Sequence, residues 1–147
     1  MEISQDTYFS DRLENQIEWY DTKSSQCQKF YKRLKRTEVV LATAIPLFSG
    51  LASQVDWLPI LVGCLGAAIA IIEGTLSMGK YHENWIEYRS ICETLRHEKY
   101  MFLARVGVYN AEGPFTLFVE RVESIISKEN VNWANLNSST KKGDNKE

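Results

Sequence analysis

The sequence predicts an all-α membrane protein, and three observations carry that expectation. Two apolar runs stand next to each other in the middle of the chain: residues 39–55, 17 positions without a charge, and residues 57–72, 16 positions, separated by Asp56. On both sides of them apolar and aromatic residues recur at spacings of four and three, the rhythm of a helix with one covered face. Basic residues crowd the outer ends of the two runs, whereas the connection between them has no Lys or Arg. The expected architecture is a two-transmembrane helical hairpin continuous with long cytoplasmic amphipathic helices, plus a short C-terminal helix, in one domain over residues 1–136.

The first amphipathic helix is expected over residues 3–37. Leu13, Ile17, Tyr20, Ser24, Cys27, Tyr31 and Leu34 step along it in a 4-3-4-3-4-3 pattern, with Glu14, Glu18, Lys32 and Lys35 off the stripe. No glycine or proline occurs before Pro46, so this helix is expected to enter the first span, residues 38–55, without a break. At about 1.5 Å per residue the two runs reach roughly 24–26 Å, short of a hydrocarbon core of roughly 30 Å. Adding residues 73–79 lengthens the second span, 57–79, to 23 positions. The shortness keeps open a competing reading, a soluble bundle with the apolar hairpin at its core.

Charge sets the expected orientation. Lys29, Lys32, Arg33, Lys35 and Arg36 place five positive charges within eight positions just before the first run, and Lys80, Arg89 and Arg96 follow the second. By the positive-inside rule both termini face the cytoplasm and the Asp56 turn faces out, the topology of a multi-pass protein. Anionic headgroups favour the same placement. The first 36 residues lack a signal-peptide pattern, so targeting is expected from the hairpin itself.

Inside the hairpin, Pro46 is expected to kink the first span or mark an irregular turn there, and it joins the small residues of that span as a helix-packing position. Gly66, Ala70 and Gly74 recur every four residues on the second, the spacing at which helices approach closely in lipid, which predicts hairpin closure or homo-oligomers. Glu73 is the one ionisable residue within the extended second span. It is either a pore-facing carboxylate or a residue at the cytoplasmic end that reaches water. Ser49, Ser53 and Thr75 are the accompanying polar candidates.

After the hairpin the rhythm resumes with Tyr81, Trp85, Tyr88, Cys92, Leu95, Phe102 and Val106, interrupted by Lys99. This predicts a cytoplasmic extension over residues 80–106, packed antiparallel on the first stripe. A Gly107-to-Pro114 loop leads to a C-terminal helix over residues 114–130, with Phe115, Phe118, Val119, Val122, Ile125 and Ile126 on one face. Residues 137–147 are polar and expected to be disordered.

Little in the chain points to catalysis. Glu93 and His97, at i and i+4, with Glu83 a neighbouring turn away, form only a weak metal-ligand pattern. Phosphate-binding loops, dinucleotide fingerprints, GxSxG and HExxH are missing, so no enzyme, cofactor or metal is expected. A net charge of −2 argues against a nucleic-acid partner. Three cysteines without CxxC spacing predict free thiols.

Residues 12–46 (RLENQIEWYDTKSSQCQKFYKRLKRTEVVLATAIP), the hairpin, residues 81–110 (YHENWIEYRSICETLRHEKYMFLARVGVYN) and residues 117–133 (LFVERVESIISKENVNW) together carry a resemblance. The chain resembles a bacterial family of unknown function related to the SLATT group, the two-transmembrane effectors associated with nucleotidyltransferases and nucleotide sensors. WYD ahead of the hairpin, and W-x-x-YR and E-x-L-x-x-E after it, occur in the expected order. The resemblance implies a membrane protein that oligomerises into a pore or otherwise disrupts the inner membrane in a conflict or antiphage system. The chain has no recognisable nucleotide-sensing domain, so a nucleotide sensor or nucleotidyltransferase is expected as a separate partner beside the lipid bilayer. A membrane anchor or scaffold binding a cytoplasmic protein is the alternative.

Overall fold

The structure is a computed structural model that describes the backbone of residues 4–110 and 113–143 and the side chains of 4–110 and 113–128. Among these residues every element is helical. Ser4 caps the start: its Oγ accepts the Thr7 N–H at 3.2 Å, satisfying one of the donors a helix start leaves free. Helix α1 (Gln5–Tyr8) passes directly into a π-helical turn, Phe9–Glu14. That wider turn decides which face is covered. Tyr8 stands five residues ahead of Leu13, a spacing that α-helical geometry rotates off the stripe and that i→i+5 bonding restores. Both side chains are buried.

Helix α2 (Asn15–Leu51) carries Pro46 within it. As expected, the helix passes from residue 37 to 38 without a break, and it continues through Pro46 to Leu51. Residues 52–57 turn the chain, and α3 (Leu58–Gly79) begins with Pro59 in its first turn, where a missing N–H costs nothing. The expected continuous helix from residue 57 to 106 is interrupted at Lys80, which adopts left-handed angles of φ 46° and ψ 34°. Such a conformation costs a non-glycine residue about 1–2 kcal/mol. Gly79 explains the geometry: a Cβ there would stand 2.1 Å from Tyr81 Cε2, so the tyrosine ring lies over the bare glycine backbone.

Helix α4 (Tyr81–Leu103) stops short of the expected residue 106 because Arg105 and Gly107 both take positive φ, 50° and 63°, and Val106 is left exposed. A short 3-10 turn, Gly107–Asn110, precedes α5 (Pro114–Gly143). Proline opens α5 as expected. The helix runs beyond the expected end at residue 130, since no glycine or proline occurs between Pro114 and Gly143. The tail expected from residue 137 thus overlaps α5 as far as Gly143, and residues 144–147 lie outside the described residues.

The chain divides into two compact units. The first comprises Met1–Asp21 with Arg89–Glu147. Its core draws Tyr8, Leu13, Ile17 and Tyr20 from the N-terminal segment, Cys92, Leu95 and Phe102 from α4, and Phe118, Val122 and Ile126 from α5. Phe118 is its centre, stacked on Phe102 at 4.5 Å and on Phe9 at 5.3 Å, with Tyr8 and Tyr109 edge-on at 6.3 and 5.9 Å. The second unit is Thr22–Tyr88. Here α2 and the start of α4 run antiparallel: the Ser24 hydroxyl donates to the Trp85 carbonyl at 3.4 Å, Tyr31 packs on His82 at 4.9 Å, and Phe30 on Tyr81 at 4.6 Å. The stripe residues divide accordingly. Leu13, Ile17, Tyr20 and Leu95 are buried, while Tyr31, Leu34, Tyr81, Trp85 and Tyr88 are half-covered.

Among the described residues one helical stretch, Leu58–Asn110, contains a window long and apolar enough to cross a membrane, and 6% of that window is buried. The first expected span does not form a second stretch of this kind. Its apolar residues close out the otherwise polar α2, and its last positions are turns.

Two substitutions test these packing arguments. Phe118→Ala removes four ring contacts and is expected to cost about 3–5 kcal/mol of stability, read by denaturant unfolding in detergent. Gly79→Ala must displace the Tyr81 ring, at a cost of about 1–3 kcal/mol in the same assay.

Candidate functional site

Of the residues singled out in the hairpin, Glu73 enters an ion triad at its foot. Lys35, on α2, reaches Glu38 Oε2 at 2.9 Å one helical turn along and Glu73 Oε2 at 3.0 Å on α3. Glu73 is therefore tied across the hairpin by an ion pair, with its side chain still 57% exposed. Glu38 is more enclosed, at 17%. Its Oε2 is shut off from solvent and makes no well-directed hydrogen bond, so the nearby ammonium is its compensating charge. The neighbouring carboxylates, Glu38 first and then Glu73, hold the Lys35 ammonium protonated above the usual lysine range.

The other candidates are not gathered around this ion triad. The Thr75 hydroxyl donates to the Ile71 carbonyl of its own helix at 2.8 Å. Ser49 and Ser53 are exposed near the turn. Glu73 lies fifteen positions beyond Leu58, about 22 Å along α3, so these groups form no common lining within one chain. Gly66 and Gly74 face open space, where an added Cβ would meet no atom within 4 Å, and Ala70 is exposed. Nor does Gly50 or Gly63 have a neighbour at its Cβ position. Hairpin closure in the single chain therefore does not use the small-residue face.

The five-residue basic cluster is divided by the helix. Lys35 points to the carboxylates, whereas Lys29, Lys32, Arg33 and Arg36, spaced i, i+3, i+4 and i+7, are exposed on another face and line an open groove with Phe30. Lys32 also sits over the Trp85 ring at 5.4 Å. Counting charges in the sequence missed this separation, although the helical period contains it: Lys35 shares its face with Tyr31, Leu34 and Glu38.

In the first unit the polar side chains clasp the core. Glu98, buried on α4, receives a forked pair of hydrogen bonds from Arg121, with Nε at 3.0 Å, and one from the Tyr109 hydroxyl. Glu123 repeats the pattern with Arg12, at 3.0 and 2.9 Å, and the Tyr8 hydroxyl at 3.0 Å. Lys99 is the expected interruption of the α4 stripe. Lys99 instead pairs with Glu14, and Glu98 is the polar residue that enters the core. The weak metal pattern is otherwise engaged, because Glu93 Oε1 meets Arg89 at 2.6 Å and Arg96 at 3.1 Å. Both arginines also reach Asp21, at 3.0 and 3.4 Å. Among the described residues no cluster of three metal-ligating side chains occurs. Burial pushes the Cys92 thiol up, and it donates to the Ile17 carbonyl at 3.6 Å.

Arg121 holds Glu98, and Arg12 holds Glu123, below the ordinary carboxylate range. A carboxylate depressed in the folded state contributes stability above its unfolded pKa of about 4.3, and that contribution is lost as pH falls through the folded value. Unfolding midpoints are therefore expected to drop below about pH 4.3, and Glu98→Gln to flatten that dependence. Arg121→Ala, which strands a buried carboxylate, is expected to cost about 1–3 kcal/mol at neutral pH.

The fold and this surface define an all-helical protein with one stretch able to cross a membrane. The chain belongs to the DUF4231 family, proteins of unknown function, whose model matches residues 15–113. That match takes in α2, α3, α4 and the Lys35–Glu73 contact. No curated protein and no solved structure matches the chain.

Proposed function

We propose that the protein is a membrane-embedded, oligomeric effector that perturbs or permeabilises the bilayer, as the SLATT-related group it resembles implies. In this reading the end of α2 and α3 enter the membrane together as a hairpin, with both termini on the cytoplasmic side. One observation carries the proposal: large apolar side chains of the hairpin, among them Val40, Leu47, Ile60, Ile71 and Met78, are exposed, and between the ion triad at its foot and Asp56 at its turn neither arm carries a charge. Water is a poor solvent for such a surface, and lipid is a good one.

The length of the apolar surface supports perturbation rather than simple anchoring. Above the ion triad, residues 39–51 and 58–72 reach about 20 and 22 Å, against a hydrocarbon core of about 30 Å. A short span is accommodated by thinning the bilayer, by snorkelling of flanking charges or by association. Lys35, Glu38 and Glu73 stand where snorkelling requires them. The open small-residue face of Gly66, Ala70 and Gly74 favours association between copies. A separate nucleotide-sensing or nucleotidyltransferase partner would supply the trigger.

Two measurements test this reading. Alkaline carbonate is expected to leave the protein in the membrane pellet, and its release would remove the hairpin insertion. Inducible expression together with the neighbouring genes is expected to collapse a potential-sensitive dye signal. Membrane retention without depolarisation would replace the effector with an anchor.

A further inference from the structure

Lys29, Lys32, Arg33 and Arg36 form an exposed basic face at the foot of the hairpin, with Lys32 also over the Trp85 ring. Residues 22–37 contain six basic and no acidic residues, in a chain whose net charge is −2. Lys35 is neutralised by Glu38 and Glu73. Among the described residues Lys29, Lys32, Arg33 and Arg36 make no ion pair, although their spacing puts all four on one exposed face of α2. Val39 and Val40, both exposed, follow within about a turn of Arg36.

We propose that this α2 face docks the phosphate-bearing headgroups of anionic phospholipids in the leaflet at the hairpin's foot. The inference rests on the hairpin being inserted, and it adds the lipid class and the residues that select it. Charge complementarity argues the occupant. Two guanidinium forks match phosphate oxygens in pairs, and two ammonium groups add point charges beside them. Exposed Phe30, on the same groove, offers apolar contact at the depth where headgroups give way to acyl chains. Direct continuity with the apolar end of α2 favours a lipid surface over a soluble polyanion. Fixed headgroups would set how far the short hairpin sinks, with Lys35 and Glu73 held at the boundary.

Near an anionic surface each basic residue is worth about a fivefold gain in affinity, so four should give a strong preference. Full-length protein in neutral detergent is offered equimolar phosphatidylglycerol and phosphatidylcholine, and retained lipid is counted by native mass spectrometry. Preferential retention of phosphatidylglycerol by more than about tenfold is expected. The quadruple variant Lys29→Gln, Lys32→Gln, Arg33→Gln and Arg36→Gln should lose that preference, while Lys29→Arg with Lys32→Arg keeps it. Because these side chains are exposed, circular dichroism should be unchanged in both variants. Equal retention of the two lipids by the native chain overturns the proposal, as does an undiminished preference in the quadruple variant. Displacement of the lipid by an equal concentration of inorganic phosphate also overturns it, in favour of a free-phosphate site. Carbonate extraction reads insertion separately, so failure of the headgroup site and failure of the membrane reading give different results.

Discussion

The apolar surface of residues 39–51 and 58–72 has almost nothing within the chain to bury against, and that deficit governs the second unit. A helix satisfies its own backbone hydrogen bonds, so the hairpin needs no polar partner along its length. Its side chains do need an apolar environment. Leu58 and Leu76 are the only buried hydrophobic residues on α3, one near the turn and one near the foot. Polar side-chain contacts between the hairpin's helices are accordingly confined to the foot, where Lys35 joins two carboxylates and where aromatic pairs take over between α2 and α4.

The first unit solves the opposite problem with the same kind of element. Its helices bury a complete core around Phe118, and its charged residues are spent closing that core's edges. The two Tyr–Glu–Arg clasps have one logic: a carboxylate brought against apolar rings is tolerated because a guanidinium fork and a phenol hydroxyl occupy its oxygens. A buried Glu98 without Arg121 would be a liability. With it, α4 and α5 have a specific register.

The joint between α3 and α4 illustrates how one small residue alters an element. A 4-3 stripe continues smoothly through residues 81–106, and periodicity alone reads it as the extension of the preceding helix. The backbone turns aside at Lys80 because Gly79 leaves room for the Tyr81 ring, and that ring gains Phe30 as a partner. The π-helical turn before Leu13 is the converse case. There the hydrogen-bond pattern changes so that the buried face does not.

Helical class, one apolar stretch long enough to cross a membrane, the covered stripes and the proline that opens α5 were legible in the residues, because each rests on a local period or a backbone constraint. The motifs also carried a resemblance to a family of unknown function, and the family match over residues 15–113 agrees to that extent. What lay beyond the sequence were the pairings between distant positions. Lys35 is one of five charges in a row until α3 returns Glu73 beside it. Glu98 and Lys99 are adjacent polar residues until a core forms under one of them, and Gly66, an expected packing position, has no atom within 4 Å of where a Cβ would stand. Local order follows from what each residue prefers for its own backbone, whereas these outcomes depend on which atoms the completed fold brings within a few ångströms.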